Sequence, residues 1–224
     1  MLCYIKKIIA IIFFGEIDVN LFYNNLIFYI AHPILGLCLS IGLTNLAMIL
    51  LPRFGMVDAP RGRHLHEKTV PCGGGVAIWF AFFITISSLF CFARFSNAAW
   101  LMEIQSFLRY FSLPALIMLI VGVTDDRFEL RSVVKLLFQI VVGLIFYYEN
   151  CGITMLFGHT LPSVLSLIFT VIWCVMIINA FNLIDGLDGL AAGLGAISSL
   201  LLAGWSLISG TNEAMVMLLV CFAM

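Results

Sequence analysis

The sequence predicts an all-α fold, a polytopic membrane helix bundle of about six complete transmembrane helices and a cut seventh. Three observations carry this reading. Of 224 residues, 63% are hydrophobic and only 10% charged, against roughly 25% charged in ordinary soluble domains. The mean hydropathy is +1.14. The apolar residues also gather into runs that approach or exceed the ~20 residues a helix needs to cross hydrocarbon. A chain so poor in charge could not cover a water-facing surface. Its net charge of -1 gives no basic balance suited to nucleic acid, and no nucleic-acid partner is expected.

The runs at 26–51, 72–93, 161–181 and 190–209 are long enough to span. Those at 108–124 and 132–148 are shorter, but Arg109 and Lys135 lie near one end, where long basic side chains reach back to the interface. Both count as spans. The final run, "AMVMLLVCFAM" from 214 to 224, would rise only ~16 Å as a helix. The expectation is a seventh helix cut short, in a chain truncated at its C-terminus. The organisation expected is an N-terminal extension, 1–25, and one incomplete transmembrane domain, 26–224. "IKKIIAIIFF" in the extension has a basic start and a short apolar core, but no small-residue cleavage site follows; an interfacial helix suits it. No internal repeat is present.

Seven cysteines are scattered singly at 3, 38, 72, 91, 151, 174 and 221. No CxxC pair occurs, so neither a disulfide framework nor a zinc site is expected. Most read as small hydrophobes within the bundle.

Successive spans alternate direction, which puts the connections 52–71, 125–131 and 182–189 on one side. These loops and the start of span four hold Arg53, Arg61, Arg63, Lys68, Arg127, Arg131 and Lys135, seven of eleven basic residues. Basic bias places that side in the cytoplasm, although Lys6 and Lys7 do not follow it.

Three polar stretches meet on that side. "FGMVDAPRGRHLHEKTVPCGGG" gathers Arg61, Arg63, His64, His66 and Lys68 before a triple glycine that opens span two. Cations near a helix N-terminus, with glycines allowing close backbone approach, suit a phosphate; the plain alternative is a positive-inside loop. "GVTDDRFELRSVVK" carries the neighbouring acids Asp125 and Asp126. Adjacent carboxylates repel and are commonly held by a divalent cation or a cationic partner. Hard oxygen ligands favour Mg²⁺, with Mn²⁺ as an alternative. The plain reading is a solvated turn neutralising Arg127. In "NAFNLIDGLDGLAAGLG", Asn179, Asn182, Asp185 and Asp188 close an otherwise apolar run. If the backbone is helical there, Asn182, Asp185 and Asp188 share a face. Ionisable groups at a membrane edge are costly, which argues for function. The groups singled out in these stretches, five basic or histidine side chains and the four carboxylates Asp125, Asp126, Asp185 and Asp188, are an inventory suited to a phosphorylated, membrane-embedded substrate and a metal ion.

The same stretches resemble the polyprenyl-phosphate N-acetylhexosamine-1-phosphate transferase family (glycosyltransferase family 4). "GMVDAPRGRHLHEKTVPCGGG" looks like the family's first cytoplasmic motif, with Asp58, Pro60, Arg63, His66, Pro71, Gly74 and Gly75 in place. "DDRFEL" looks like its acidic pair in the form typical of the undecaprenyl-phosphate N-acetylglucosamine branch, and "NAFNLIDGLDGLAAG" like its third motif, the most specific. The resemblance runs from about residue 30 to the end. It implies a multi-pass enzyme of the bacterial inner membrane that acts in cell-envelope polysaccharide synthesis. Its reaction is attack of undecaprenyl phosphate on the β-phosphate of a UDP-sugar, with Mg²⁺, releasing UMP. A homodimer is compatible with it. By resemblance, Asp125 and Asp126 are the catalytic pair and candidate metal ligands. Asn182, Asp185 and Asp188 line the nucleotide-sugar site, while His66, Arg63 and Lys68 hold phosphate or sugar. His64 stands where a Lys is usual and Cys72 where an Arg is frequent. The family's later Gly-Asp-x-Gly-Ser loop, whose Asp binds metal, and its histidine-rich sugar-reading loop are not in this sequence. The expectation is therefore a family member that is inactive as this chain alone.

Two other enzyme classes use membrane-edge acids. A CDP-alcohol phosphatidyltransferase needs D-x-x-D-G-x-x-A-R, but Gly193 replaces the Arg. A membrane prenyltransferase needs N-x-x-x-D, and Asn182 to Asp185 is one residue short. A transporter would place acids in mid-span, whereas here they lie at span ends.

Overall fold

The structure is a computed structural model that describes residues 19–58, 70–71, 73–96, 101–185 and 189–209. Among the described residues six α-helices dominate: α1 Val19–Leu50, α2 Gly74–Ser96, α3 Leu101–Phe128, α4 Ser132–Tyr148, α5 Ser163–Ile184 and α6 Leu190–Ser209. Two short antiparallel hairpins accompany them. β1 (Val57–Asp58) pairs with β2 (Val70–Pro71), and β3 (Met155–Leu156) with β4 (His159–Thr160).

The all-α membrane bundle expected from composition is what the chain forms. Four stretches are long and apolar enough to cross a membrane: Ala31–Phe54, Gly74–Cys91, Gln105–Phe128 and Ser163–Ile184. Ser132–Tyr148 and Leu190–Ser206 are shorter apolar helices; the first, with 17 residues, rises ~26 Å. The expected seventh helix and the extension up to residue 18 lie outside the described residues. Helix ends run past the apolar runs: α1 begins at Val19 rather than 26, and α3 continues to Phe128 rather than stopping at 124. Backbone hydrogen bonding does not stop where the hydrocarbon does, so Asp125 and Asp126 sit in the last turn of α3 and not in a loop.

The buried set mixes apolar side chains such as Ile86 and Leu89 with small polar ones. Thr85, Gln139, Ser166, Thr170, Ser199 and Ser206 are buried, while Ile41, Ile172, Leu201 and many other large apolar side chains are exposed. Lipid is as apolar as leucine, so helices associate through small residues and polar contacts while large apolar side chains face outward.

The chain divides into two compact units: Met1–Thr44, Ala77–Gln105 and Ala192–Met224 in one, Asn45–Val76 and Ser106–Ala191 in the other. In the first, α2 buries Ala77, Ala81, Thr85 and Leu89 at successive i+4 positions. Gly36 of α1 lies where an added Cβ would be 3.6 Å from Thr85 Oγ1. Thr85 Oγ1 donates to the Ala81 carbonyl at 2.7 Å, which satisfies the buried hydroxyl within its own helix. α6 likewise buries Gly195, Ser199, Ala203 and Ser206. These stripes of small residues let backbones approach.

In the second unit, α4 and α5 form the closest helix pair. A Cβ on Gly143 would stand 2.9 Å from Val171 Cα, so only glycine fits at this crossing. One turn back, Gln139 is 4% exposed and exchanges amide hydrogen bonds with Asn179. Asn179 Nδ2 donates to Gln139 Oε1 at 2.6 Å, and Gln139 Nε2 donates to Asn179 Oδ1 at 3.4 Å. Asn179 Nδ2 also donates to the Val175 carbonyl at 2.8 Å. Before α2, a 3-10 turn (Leu51–Phe54) ends at Gly55 with φ 77. The β1–β2 pair then holds both ends of segment 59–69 side by side, in the register Val57↔Pro71 and Asp58↔Val70. Gly73, at φ +99, leaves a Cβ only 2.7 Å from Leu51 Cδ1.

Candidate active site

Of the eight residues expected to act on substrate or metal, Asp125, Asp126, Asn182 and Asp185 are described, all in the second unit, at the C-terminal ends of α3 and α5. α3 ends in the sharp corner that leads to α4. Glu129 adopts φ 49, and its N–H closes the helix by donating to the Asp125 carbonyl at 2.8 Å. The Asp125 side chain holds the corner. Its Oδ1 accepts the Leu130 N–H at 3.0 Å, and its Oδ2 accepts from Lys135 Nζ at 2.7 Å. Both side chains of that ion pair are about a quarter exposed, at 27% and 25%. Both Asp125 oxygens are thereby engaged.

Asp126 is exposed and lies within electrostatic reach of Asp125, Asp185 and Lys135. α5 supplies Asp185 as its C-cap, the N–H donating to the Phe181 carbonyl at 3.0 Å. Asn182, in the last helical turn of α5, is exposed and three residues before Asp185, so the expected shared face holds as far as that residue. The two helix ends thus bring three carboxylates near one lysine. Asp188, His66, Arg63 and Lys68 lie outside the described residues.

Asn179 separates from this group. The sequence reading placed it among four polar groups with a common purpose, but its amide is spent on Gln139 and on its own helix. It is a helix clamp, because a buried amide on α4 needs a partner across the interface. Lys135 is the opposite case. Read from sequence as a lysine reaching for the interface, it is the cationic partner that Asp125 was expected to need. The i, i+4, i+8 spacing of Lys135, Gln139 and Gly143 carries the signal, since the last two face α5 and Lys135 continues their row toward the acids.

Among the described residues, no group of three or more His, Cys, Asp or Glu could hold a metal ion by itself. The donor chemistry nevertheless suits Mg²⁺, which takes one or two carboxylates and completes its shell with water and substrate phosphate. Asp126 and Asp185 are hard oxygen donors, like in charge and in each other's field, whereas Asp125 is already committed.

The fold and site define a class, a helical membrane protein with a cluster of carboxylates at the ends of its helices. The sequence profile of glycosyl transferase family 4 matches residues 108–224, and the chain belongs to that family. It is 32% identical over 168 residues to a probable undecaprenyl-phosphate N-acetylglucosaminyl 1-phosphate transferase of Bacillus subtilis, covering 70% of this chain and 42% of the relative. It is 33% identical over 172 residues to the undecaprenyl-phosphate alpha-N-acetylglucosaminyl 1-phosphate transferase of Thermotoga maritima, covering 75% and 50%. With a decaprenyl-phosphate N-acetylglucosaminephosphotransferase of Mycolicibacterium smegmatis it shares 31% identity over 175 residues, covering 73% and 41%. The aligned part is thus half or less of each of these relatives. Family membership sets aside the phosphatidyltransferase, prenyltransferase and transporter readings.

Proposed function

We propose that this chain carries the acidic half of the active site of a polyprenyl-phosphate sugar-1-phosphate transferase. The observation that carries the reading is that Asp126, in the last turn of α3, and Asp185, the C-cap of α5, lie within electrostatic range of one another, with the Asp125–Lys135 pair beside Asp126. The names of the relatives support the same reading. The acceptor is undecaprenyl phosphate and the donor a UDP-N-acetylhexosamine. A phosphate oxygen of the lipid attacks the donor's β-phosphorus. The bond from that phosphorus to the bridging oxygen breaks, and UMP leaves with the electron pair.

In this mechanism Lys135 and the Leu130 N–H fix Asp125 at the corner, so that Asp126 is the freer of the adjacent acids. Asn182 and Asp185, with Asp188, serve the nucleotide-sugar. Arg63, His66 and Lys68 offer cations to its phosphates. Mg²⁺, held by Asp126 and Asp185 together with substrate oxygens, would neutralise charge on the transferring phosphoryl group. The three polar stretches face the cytoplasm of a bacterial cell, and the acceptor lies in the inner membrane.

The test uses this stretch within a protein of the relatives' full length, purified in detergent with undecaprenyl phosphate and a panel of UDP-N-acetylhexosamines. UMP release should require Mg²⁺ and stop on chelation. Release that persists in the chelator, or that ignores the lipid phosphate, would sink the proposal.

A further inference from the structure

At the end of α4 and α5 away from the acids, Tyr148 and Ser163 are joined by the β3–β4 hairpin. We propose that this hairpin is a membrane anchor, its tip residue Phe157 seated in the boundary between lipid headgroups and acyl chains. The inference rests on the membrane reading of the helices and not on the chemistry of the acid cluster.

The first observation is the tip itself. Phe157 and Gly158 form a two-residue turn, with φ 49 and φ 83. Such turns favour Asn-Gly, because both central residues need the left-handed region and a bulky side chain is strained there. Phenylalanine occupies the first position nonetheless, and it is 93% exposed. Within the protein its ring has almost no shelter to offset that strain.

The second observation is charge. From Asn150 to Ile184 the sequence contains no Asp, Glu, Lys or Arg, although it includes the whole hairpin. Loops on a water-facing surface are ordinarily rich in such groups. Met155, two residues before the tip, is 57% exposed, and Tyr148, the last residue of α4, is 74% exposed; aromatic residues concentrate at membrane–water interfaces. The Arg109–Glu149 pair, 3.7 Å apart with Arg109 well exposed, supplies a polar mark at the same end of α4.

The third observation is rigidity at the base. The Ile153 N–H donates to Thr170 Oγ1 at 2.9 Å, and that hydroxyl donates to the Ser166 carbonyl at 2.7 Å. The Cys151 N–H reaches the Phe146 carbonyl, and the Leu161 N–H the Thr154 carbonyl, each at 2.9 Å. A Cβ on Gly152 would meet Thr170 Oγ1 at 2.9 Å. The hairpin is therefore pinned to α5, and the aim of its tip follows the helix pair. The hairpin holds no Lys or Arg, and His159 is its one basic side chain, so the contact depends chiefly on apolar and aromatic burial and not on anionic lipid.

The experiment places p-benzoylphenylalanine at position 157 of the 224-residue chain, in nanodiscs of phosphatidylcholine with and without phosphatidylglycerol. Irradiation should give lipid adducts at 157, in equal yield in both bilayers. Adducts to a second copy of the chain or to another protein, or absence of lipid adducts, would overturn the proposal. A second measurement guards against a misfolded variant. In the native sequence, hydroxyl-radical oxidation of Met155 should be slow in nanodiscs, and Phe157→Asn, which suits the turn, should raise it several-fold. Unchanged oxidation would overturn the anchor.

Discussion

Lys135 Nζ lies 2.7 Å from Asp125 Oδ2 and ties the first turn of α4 to the last turn of α3. An ion pair across a helix corner fixes one carboxylate and leaves its neighbour Asp126 to other work. On the proposed reaction, and in a protein of the relatives' full length as for every rate given below, Lys135→Gln should lower kcat about 10- to 100-fold, the usual cost of losing a group that orients a working residue. KM for the UDP-sugar should change little. Steady-state UMP release measures the split, and Lys135→Arg should recover part of the rate. A mere rise in KM would place Lys135 in donor binding instead.

Asp126→Asn and Asp185→Asn should each lower UMP release by two or more orders of magnitude, as loss of a positioned charge does in such reactions. Each removes one of two like charges that repel, so melting temperature in detergent should hold or rise. A fall in both activity and melting temperature would give the acids a structural role.

The amide pair predicts the reverse pattern. Asn179→Leu leaves Gln139 buried without its partner and should destabilise the protein by about 1–3 kcal/mol. The double variant Gln139→Leu, Asn179→Leu should recover much of that loss, giving a coupling of roughly 0.6–2 kcal/mol in a thermal double-mutant cycle. Loss of turnover in Asn179→Leu without loss of stability would return Asn179 to the active site.

At the α4–α5 crossing, Gly143→Ala pushes a methyl group to 2.9 Å from the Val171 backbone. Backbone cannot rotate away as a side chain can, so the cost should be about 1–3 kcal/mol. Melting in detergent reads it. An unchanged melting temperature would mean that the helices separate without penalty.

Orientation is open to labelling. In intact cells a membrane-impermeant maleimide should react with Thr160→Cys and not with Phe128→Cys, each compared with the parent chain. Both positions are exposed, so the reverse pattern would turn the acids to the outside.

Much of this was legible before any coordinates, for physical reasons that differ between elements. Lipid demands long apolar helices, so α1, α2, α3 and α5 announce themselves by composition. Asp125, Asp126 and Asp185 stood out because charge is scarce in such a chain. Where each helix ends was harder to read, since α3 carries its polar last turn beyond the apolar run. The partners of Lys135 and Asn179 are not legible in sequence, because partnership across a corner or a crossing is set by which faces meet. Each residue type was consistent with either role. The β3–β4 hairpin left no clear pattern, as Phe157-Gly158 is not a turn pair that sequence rules favour.

The clasp formed by Val57–Asp58 and Val70–Pro71 has a consequence for how proteins of this kind can diverge. Once two strands hold the ends of a segment, the entropy of closing it grows only with the logarithm of its length, about 0.6 kcal/mol for each doubling. For any flexible segment held in this way a change of length costs little, whereas a change that slips the strand register by one residue turns every side chain of the pair to the opposite face. Divergence is thus constrained most tightly at the two strands themselves, where the register Val57↔Pro71 and Asp58↔Val70 ties the sequence to the fold.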